Sequence, residues 1–206
     1  MVEMTPYLLA LAVVGVIYGS LLAWRALDYK RLIAYSSFAH VNFILAGLFV
    51  WNLWAKEGAI LQAVNHSITI AALFLVVYYL EKRIDTRELA PYGLASQVPR
   101  LCWITLFFVL SSVALPGLNN FVGEVLILLG VFHYEFWVAA ILSLTIILSV
   151  MYMLRLMQKV YFGPPSSIKT YDLTWKEGLQ VFPLFILVIW IGLYPNFILQ
   201  LIGGIK

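Results

Sequence analysis

Long apolar stretches recur along this chain with charges gathered at their ends, and that pattern limits what it can fold into more than any other feature. An α-helical membrane span needs about 17–25 predominantly apolar residues. Residues 6–24, 32–51, 58–80, 136–160 and 178–201 each meet that requirement, with Arg155 and Lys159 in the last turns of the fourth. Of the 206 residues 63% are hydrophobic and 11% charged, whereas a soluble domain carries about 25% charged residues. So little charge cannot cover a water-facing surface, and a water-soluble globular domain is excluded. Disorder is excluded too, because it requires low hydrophobicity and high net charge. The apolar stretches lack the strict two-residue alternation of a membrane β-barrel. An all-α, polytopic membrane protein follows.

Residues 101–132 resist a simple division. They run L-C-W-I-T-L-F-F-V-L-S-S-V-A-L, then P-G-L-N-N, then F-V-G-E-V-L-I-L-L-G-V-F. As two spans, the apolar pieces 101–115 and 121–132 are both too short. As one unbroken helix the segment would run about 48 Å, against a hydrocarbon core of about 30 Å. Proline removes a backbone donor and clashes with the preceding turn, so the segment is predicted to be one crossing broken at 116–120. Six crossings result.

Charge placement supports this count. Arg25, Lys30 and Arg31 follow residues 6–24; Lys82, Arg83, Arg87 and Arg100 follow 58–80; Lys169 and Lys176 follow 136–160. The connections 52–57 and 133–135 hold one basic residue between them, Lys56. One broken crossing puts all three basic regions on one side, as the positive-inside rule requires, with both termini on the other. The first 24 residues do not read as a signal peptide, since Glu3 stands where a basic region belongs. Met1 directly before a span fits a genuine start. Residues 81–100 and 163–167 read as solvated loops, too short to be domains, so 1–206 is expected to form a single transmembrane domain. Within it, Asp28, Lys30 and Arg31 are expected to form a topology anchor and a loop ion pair.

Ionisable residues inside a bilayer are costly enough to be functional candidates by default. Three stand out: His40, His66 and Glu124. Ser36 and Ser37 lie one turn from His40 on its face. Gln62, Asn65 and Thr69 form a polar stripe about His66, and Thr145, Ser149 and Tyr152 follow a similar helical spacing. Such stripes serve equally as helix–helix contacts or as the lining of a wet path. Histidine exchanges protons near neutral pH, as a relay requires. Glu124 is expected in the first turn after the break, where free backbone amides favour an anion while burial favours the neutral acid. Arg155 and Lys159 are expected to snorkel to the interface. No Cys/His metal spacing, nucleotide-binding glycine loop or nucleophile–base pair is present, and one cysteine precludes an internal disulfide. No cofactor, metal or nucleic-acid partner is expected.

These residues carry a resemblance. D-Y-K-R-L-I-A-Y-S-S (28–37) with His40, A-I-L-Q-A-V-N-H (59–66) with A-L-F (72–74), R-I-D-T-R (83–87), L-P-G-L-N-N-F-V-G-E (115–124), Y-F-G (161–163) and G-L-Y-P-N-F-I-L (192–199) occur in the order found in antiporter-like subunits of respiratory complex I. They resemble most the type called M in bacteria and subunit 4 in mitochondria. Related antiporter chains carry lysine at the position of Glu124. Asn42 and Ser67 depart from the pattern, each standing where glycine is usual. The family chain is about twice this length, and this sequence resembles its second inverted repeat plus the last helix. The membrane lysines of the family's first half have no counterpart here.

The resemblance implies a helical fold with a discontinuous helix in the membrane arm of a proton-pumping NADH:quinone oxidoreductase. Electron transfer would then occur in other subunits, and Glu124, His66 and His40 would carry protons. It also implies a separate chain or missing segment supplying the rest of the channel, other membrane-arm subunits as partners, and a bacterial inner membrane or, alternatively, a mitochondrial one. A non-conducting structural subunit, or part of a multisubunit cation/proton antiporter or membrane-bound hydrogenase, are the competing readings.

Overall fold

The computed structural model describes residues 4–164, 168 and 170–202. The loop residues 165–167, Lys169, and Met1 and Glu3 at the start lie outside the described residues. The chain forms α1 (Thr5–Arg25), α2 (Tyr29–Phe49), α3 (Leu53–Ile84), α4 (Pro99–Ser112), α5 (Asn119–Tyr134), α6 (Phe136–Val160), α7 (Trp175–Leu193) and α8 (Asn196–Leu201). Five of them, α1, α2, α3, α6 and α7, are long and apolar enough to cross a membrane, while α4 is a shorter apolar helix. This is an all-α membrane protein.

Local chemistry fixes the helix ends. Pro6 sits in the first turn of α1, where its missing N–H costs nothing. The Asp28 carboxylate accepts from the backbone amides of Lys30 and Arg31, at 2.7 and 3.0 Å, and starts α2. Its charge is therefore engaged as a cap. Lys30 pairs instead with Glu81, so the ion pair joins two helices rather than closing a loop. Glu81 also accepts from Arg87 at 2.5 Å, and that bond holds the exposed Arg87 guanidinium above its ordinary titration range. Asn52 caps α3 through the Ala55 amide at 2.8 Å, which draws Glu57 out of the expected connection and into the helix. The last apolar stretch, 178–201, is divided at Tyr194 and Pro195 into α7 and α8.

The expected helix break at 116–120 lies earlier in the chain. Ordered helix ends at Ser112 and resumes at Asn119. Ala114 and Gly117 take positive φ values of 56° and 93° in the turn between, and at Gly117 the absence of Cβ makes that conformation inexpensive. Leu118 is extended and offers α5 no side-chain cap.

The basic loops bond to one another at one end of the bundle. The Tyr29 and Leu89 amides donate to the Arg87 and Leu27 carbonyls, and those of Tyr92 and Ala95 to the carbonyls of Lys159 and Tyr161. Asp172 accepts from the first-turn amides of α4, Arg100 at 2.9 Å and Leu101 at 3.1 Å. Arg83 is the most enclosed charge here. It donates to the carbonyls of Tyr79, Tyr171 and Asp172 and to both oxygens of Glu177, the nearer at 2.7 Å. Arg155 donates to the Trp24 carbonyl beside the Trp24 ring, and Lys159 is exposed. At the other end of the bundle, the Asn52 amide donates to the Gly130 carbonyl at 2.6 Å.

Two apolar clusters divide the interior by depth. One gathers Tyr29, Leu32, Ile33, Leu73, Val76, Leu101, Phe108, Leu156 and Val188 on the side of the basic loops. The other gathers Leu9, Phe43, Ala46, Ala55, Ala59, Ile127, Val131 and Leu142 on the far side. Between these depths α3 and α5 approach closely. A Cβ placed on Gly123 would lie 2.4 Å from Gln62 Oε1 and 3.0 Å from Gln62 Cα. Gly123→Ala is therefore expected to lower stability by about 1–3 kcal/mol, measured as a lower unfolding midpoint in detergent. Arg83→Ala strands a partly buried carboxylate and is expected to cost roughly 3 kcal/mol, seen in the same measurement.

Candidate functional site

A layer of polar side chains fills the depth between the two apolar clusters. Ser36 and Ser37 of α2, Gln62, Asn65, His66 and Thr69 of α3, Asn119, Asn120 and Glu124 of α5, and Thr145 and Ser149 of α6 all fall there. All except Ser37, which is partly exposed, are buried. Polar groups without water need internal partners, and this layer supplies most of them.

The stripe on α3 divides between two tasks. Asn65 and Thr69 hold the helix break. The Asn65 amide donates to the Asn119 carbonyl at 2.6 Å, and the Asn119 amide donates back to the Asn65 carbonyl at 3.0 Å. Asn119 Oδ1 accepts from Ser111 at 2.6 Å, and Thr69 lies within 3.1 Å of the Ser111 hydroxyl. Asn120 donates to the Ser111 carbonyl at 2.9 Å, which also accepts from the Ala114 amide at 3.2 Å at the end of α4. The sequence places Asn119 and Asn120 in the break at 116–120 but assigns no role to them or to Ser111. Polar residues directly after a Pro-Gly break were the available signal.

Gln62 and His66 face the other way, toward the ionisable groups. Gln62 Nε2 donates to Glu124 Oε1 at 3.3 Å. His40 Nδ1 lies 3.5 Å from the same oxygen. The His40 and His66 rings are 5.2 Å apart between centroids, and His66 Nε2 is 2.9 Å from the Ser37 hydroxyl. The structure thus brings Ser37, His66, His40, Glu124 and Gln62 into one row drawn from three helices. Ser37 serves His66 rather than its helix neighbour His40, while Ser36 meets the buried Tyr152 hydroxyl at 3.1 Å.

Glu124 does not occupy the first turn after the break. Because α5 begins at Asn119, the carboxyl lies in the second turn, and no backbone amide donates to it among the described residues. Its surroundings are Gln62, His40 and a small cavity. That cavity is lined by Ser20, His40, Glu124, Thr145, Ser149 and Tyr152 among others, with about 10 Å³ of room for water-sized centres. This is close to the minimum a single water requires. Thr145 and Ser149 donate to carbonyls of their own helix at 2.6 and 2.7 Å. Their oxygens border the cavity as acceptors. His40 Nε2 has no hydrogen-bond partner among the described residues.

Asp28, the cap of α2, and Lys30 and Arg31 in its first turn lie apart from this row, at the end of α2 that carries the basic loops. Asn42, the departure after His40, donates to the Phe38 carbonyl at 2.9 Å. It packs where α1 has Gly15, on which a Cβ would lie 2.3 Å from its oxygen. Ser67 donates to the Ala63 carbonyl on the exposed side of α3. Neither departure touches the row. No group of three or more potential metal ligands occurs among the described residues.

Residues 1–151 match the family described as NADH:quinone oxidoreductase/Mrp antiporter, TM. The chain is 40% identical over 204 residues to NADH-quinone oxidoreductase subunit M of Rhodobacter capsulatus, covering 97% of this chain and 40% of that protein. It is 42% identical over 200 residues to NADH-ubiquinone oxidoreductase chain 4 of Marchantia polymorpha, covering 95% of this chain and 40% of the other. The chain therefore spans about two fifths of the length of these relatives. Among solved structures, a chain of respiratory complex I from Thermus thermophilus with bound NADH superposes with a TM-score of 0.90 at 31% identity, over 95% of this chain and 42% of that one. A chain of the Mrp complex from Dietzia sp. shares the fold, with a TM-score of 0.91 at 16% identity, over 98% of this chain and 46% of that one. On the family match, which takes in well over half of its residues, the chain belongs to the NADH:quinone oxidoreductase/Mrp antiporter transmembrane family.

Proposed function

We propose that this chain is the part of a membrane-arm subunit of a proton-translocating NADH:quinone oxidoreductase that carries protons through Glu124, His40 and His66. The observation that carries the reading is the row from Ser37 through His66 and His40 to Glu124, at mid-depth between two apolar clusters. Each of its ionisable members can bind and release a proton; His40 Nδ1 lies 3.5 Å from Glu124, and the two imidazole rings are neighbours at 5.2 Å between centroids. A proton on His66 passes to His40 and then to Glu124, with the Ser37 hydroxyl at the far end of the row. Thr145 and Ser149 border the water-sized space beside Glu124. Asn65, Thr69, Asn119 and Ser111 keep the broken helix in register, so that Glu124 faces His40. No redox group is assigned to this chain; electrons would move in other subunits.

The reading includes six crossings, with α4 and α5 forming one interrupted crossing and α7 with α8 another. The mutual bonding of the three basic loops supports it, and the positive-inside rule puts that end in the cytoplasm or matrix. Residues 4 and 202 then lie opposite. Partners would be the remaining length of the subunit, from this chain or a separate one, and neighbouring membrane-arm subunits. A bacterial inner membrane is the proposed location, with a mitochondrial inner membrane as the alternative. The identity to subunit M relatives favours this assignment over the cation/proton antiporter reading, for which the Mrp likeness at 16% identity supplies the fold alone.

Glu124→Gln keeps the shape and removes the exchangeable proton. In the assembled complex it is expected to retain assembly while slowing proton translocation through this subunit by at least about tenfold. Proton uptake and release per electron, measured in vesicles with and without a sodium gradient, check this. Wild-type pumping at normal assembly would overturn the reading, and sodium-dependent transport would favour the antiporter alternative.

A further inference from the structure

Glu57 is a buried titratable residue that the row through Glu124 leaves unused. It lies in the second turn of α3 and is 3% exposed. Its Oε2 is sealed from solvent, with no hydrogen-bond partner among the described residues. Ala55, Gly58, Ala59 and Leu61 around it on the helix are buried and offer no side-chain donor. An unpaired ionised carboxylate in such surroundings is expensive, and ionisable groups inside membrane bundles generally mark a path for ions or protons.

The packing of α3 on α5 shows where Glu57 stands relative to Glu124. Gln62 meets Gly123, Gly58 meets Leu126 and Ile127, and Ala55 meets Gly130. Glu57 thus lies beyond the Glu124 level, toward the end of the bundle opposite the basic loops. Its separation from Gln62 is about 7–8 Å along the helix axis. Gln62, which donates to Glu124, also has a buried oxygen without a partner, Oε1. Unsatisfied polar atoms therefore occur on α3 at both ends of this interval. Other ionisable groups on and around this half of α3 are Lys56 and His66 on α3 itself, Glu124 on α5, His133 and Glu135 at the end of α5, and His40 on α2. None is ion-paired with Glu57 among the described residues.

We propose that Glu57 is a second proton-binding carboxyl, which takes the proton from Glu124 and releases it at the end of the bundle opposite the basic loops. The proposal rests on the proton-carrying role of Glu124. In the transfer an O–H bond of the Glu124 acid breaks and an O–H bond forms on the Glu57 carboxylate, leaving Glu124 ionised. Water admitted between them carries the proton, and no electron moves. Glu57 then loses its proton outward, and Glu124 is reloaded from His40.

The test compares Glu57→Gln, Glu57→Asp and Glu124→Gln in the intact complex, reading proton release and infrared difference spectra during turnover. Glu57→Gln is expected to slow proton release by at least about tenfold, with Glu57→Asp restoring most of the rate. One carboxylic C=O band of the turnover spectrum is expected to disappear in Glu57→Gln, a change that loss of a purely structural side chain would not produce. Wild-type release with unchanged bands in Glu57→Gln, beside a persistent defect in Glu124→Gln, overturns the role of Glu57 and leaves that of Glu124 standing. Normal pumping in Glu124→Gln overturns both. If Glu57→Gln does not assemble, Glu57→Asp decides: its band shifts if this carboxyl exchanges its proton in turnover, and an unshifted band overturns the proposal.

Discussion

Asn65 and Asn119 each donate a side-chain amide to the other's backbone carbonyl, and the middle of the bundle depends on that exchange. A helix interrupted in apolar surroundings leaves carbonyls and amides that water cannot reach, each costing several kcal/mol if left open. The chain closes this deficit with side chains from α3 and from either flank of the break. Because the same amides that satisfy the break also bolt α5 to α3, the position of Glu124 is set by the repair of the backbone. A helix without the interruption would need no such bolt and would have no reason to hold a carboxyl at this depth.

The arrangement explains why so many polar residues lie at one level. Apolar clusters above and below seal the layer, raising the cost of any unsatisfied group and strengthening each satisfied one. Within it, the amide and hydroxyl groups around the break are engaged in holding structure, with Asn65 Oδ1 and Asn120 Oδ1 left without a partner among the described residues. The imidazoles and the carboxyl are not: His40 has an unpartnered nitrogen, and the contacts of Glu124 leave it beside a cavity. Two sets of groups thus alternate along a single helix, α3: Asn65 and Thr69 bond across the break, while Gln62 and His66 face Glu124 and His40.

Much of this was legible in the sequence because membrane helices announce themselves by length and hydropathy, and because a buried histidine or glutamate in such a helix is conspicuous. His40, His66 and Glu124 stand out that way, and helical spacing groups Gln62, Asn65 and Thr69 with them. The split in their roles was not legible, since residues 62, 65, 66 and 69 share a stripe and only the packing of α5 tells which partner each one meets. The turn holding Glu124 was misjudged because Pro116 marks a break without marking where helix resumes. Glu57 was hidden for a related reason. It stands beside Lys56 after a tryptophan-rich turn, a setting that reads as interface, and Asn52 starts the helix early enough to enclose it.

The cap on α4 has a consequence for how the molecule comes together. Its first-turn amides, at Arg100 and Leu101, are satisfied by a carboxylate about seventy residues later in the chain, Asp172. Arg83, at the end of α3, likewise waits for Tyr171, Asp172 and Glu177. During synthesis these groups remain open to water until the segment leading into α7 has left the ribosome. The order of the genetic message is therefore not the order in which the bundle closes: α4 is made before α6, yet its end is finished only by the segment that follows α6.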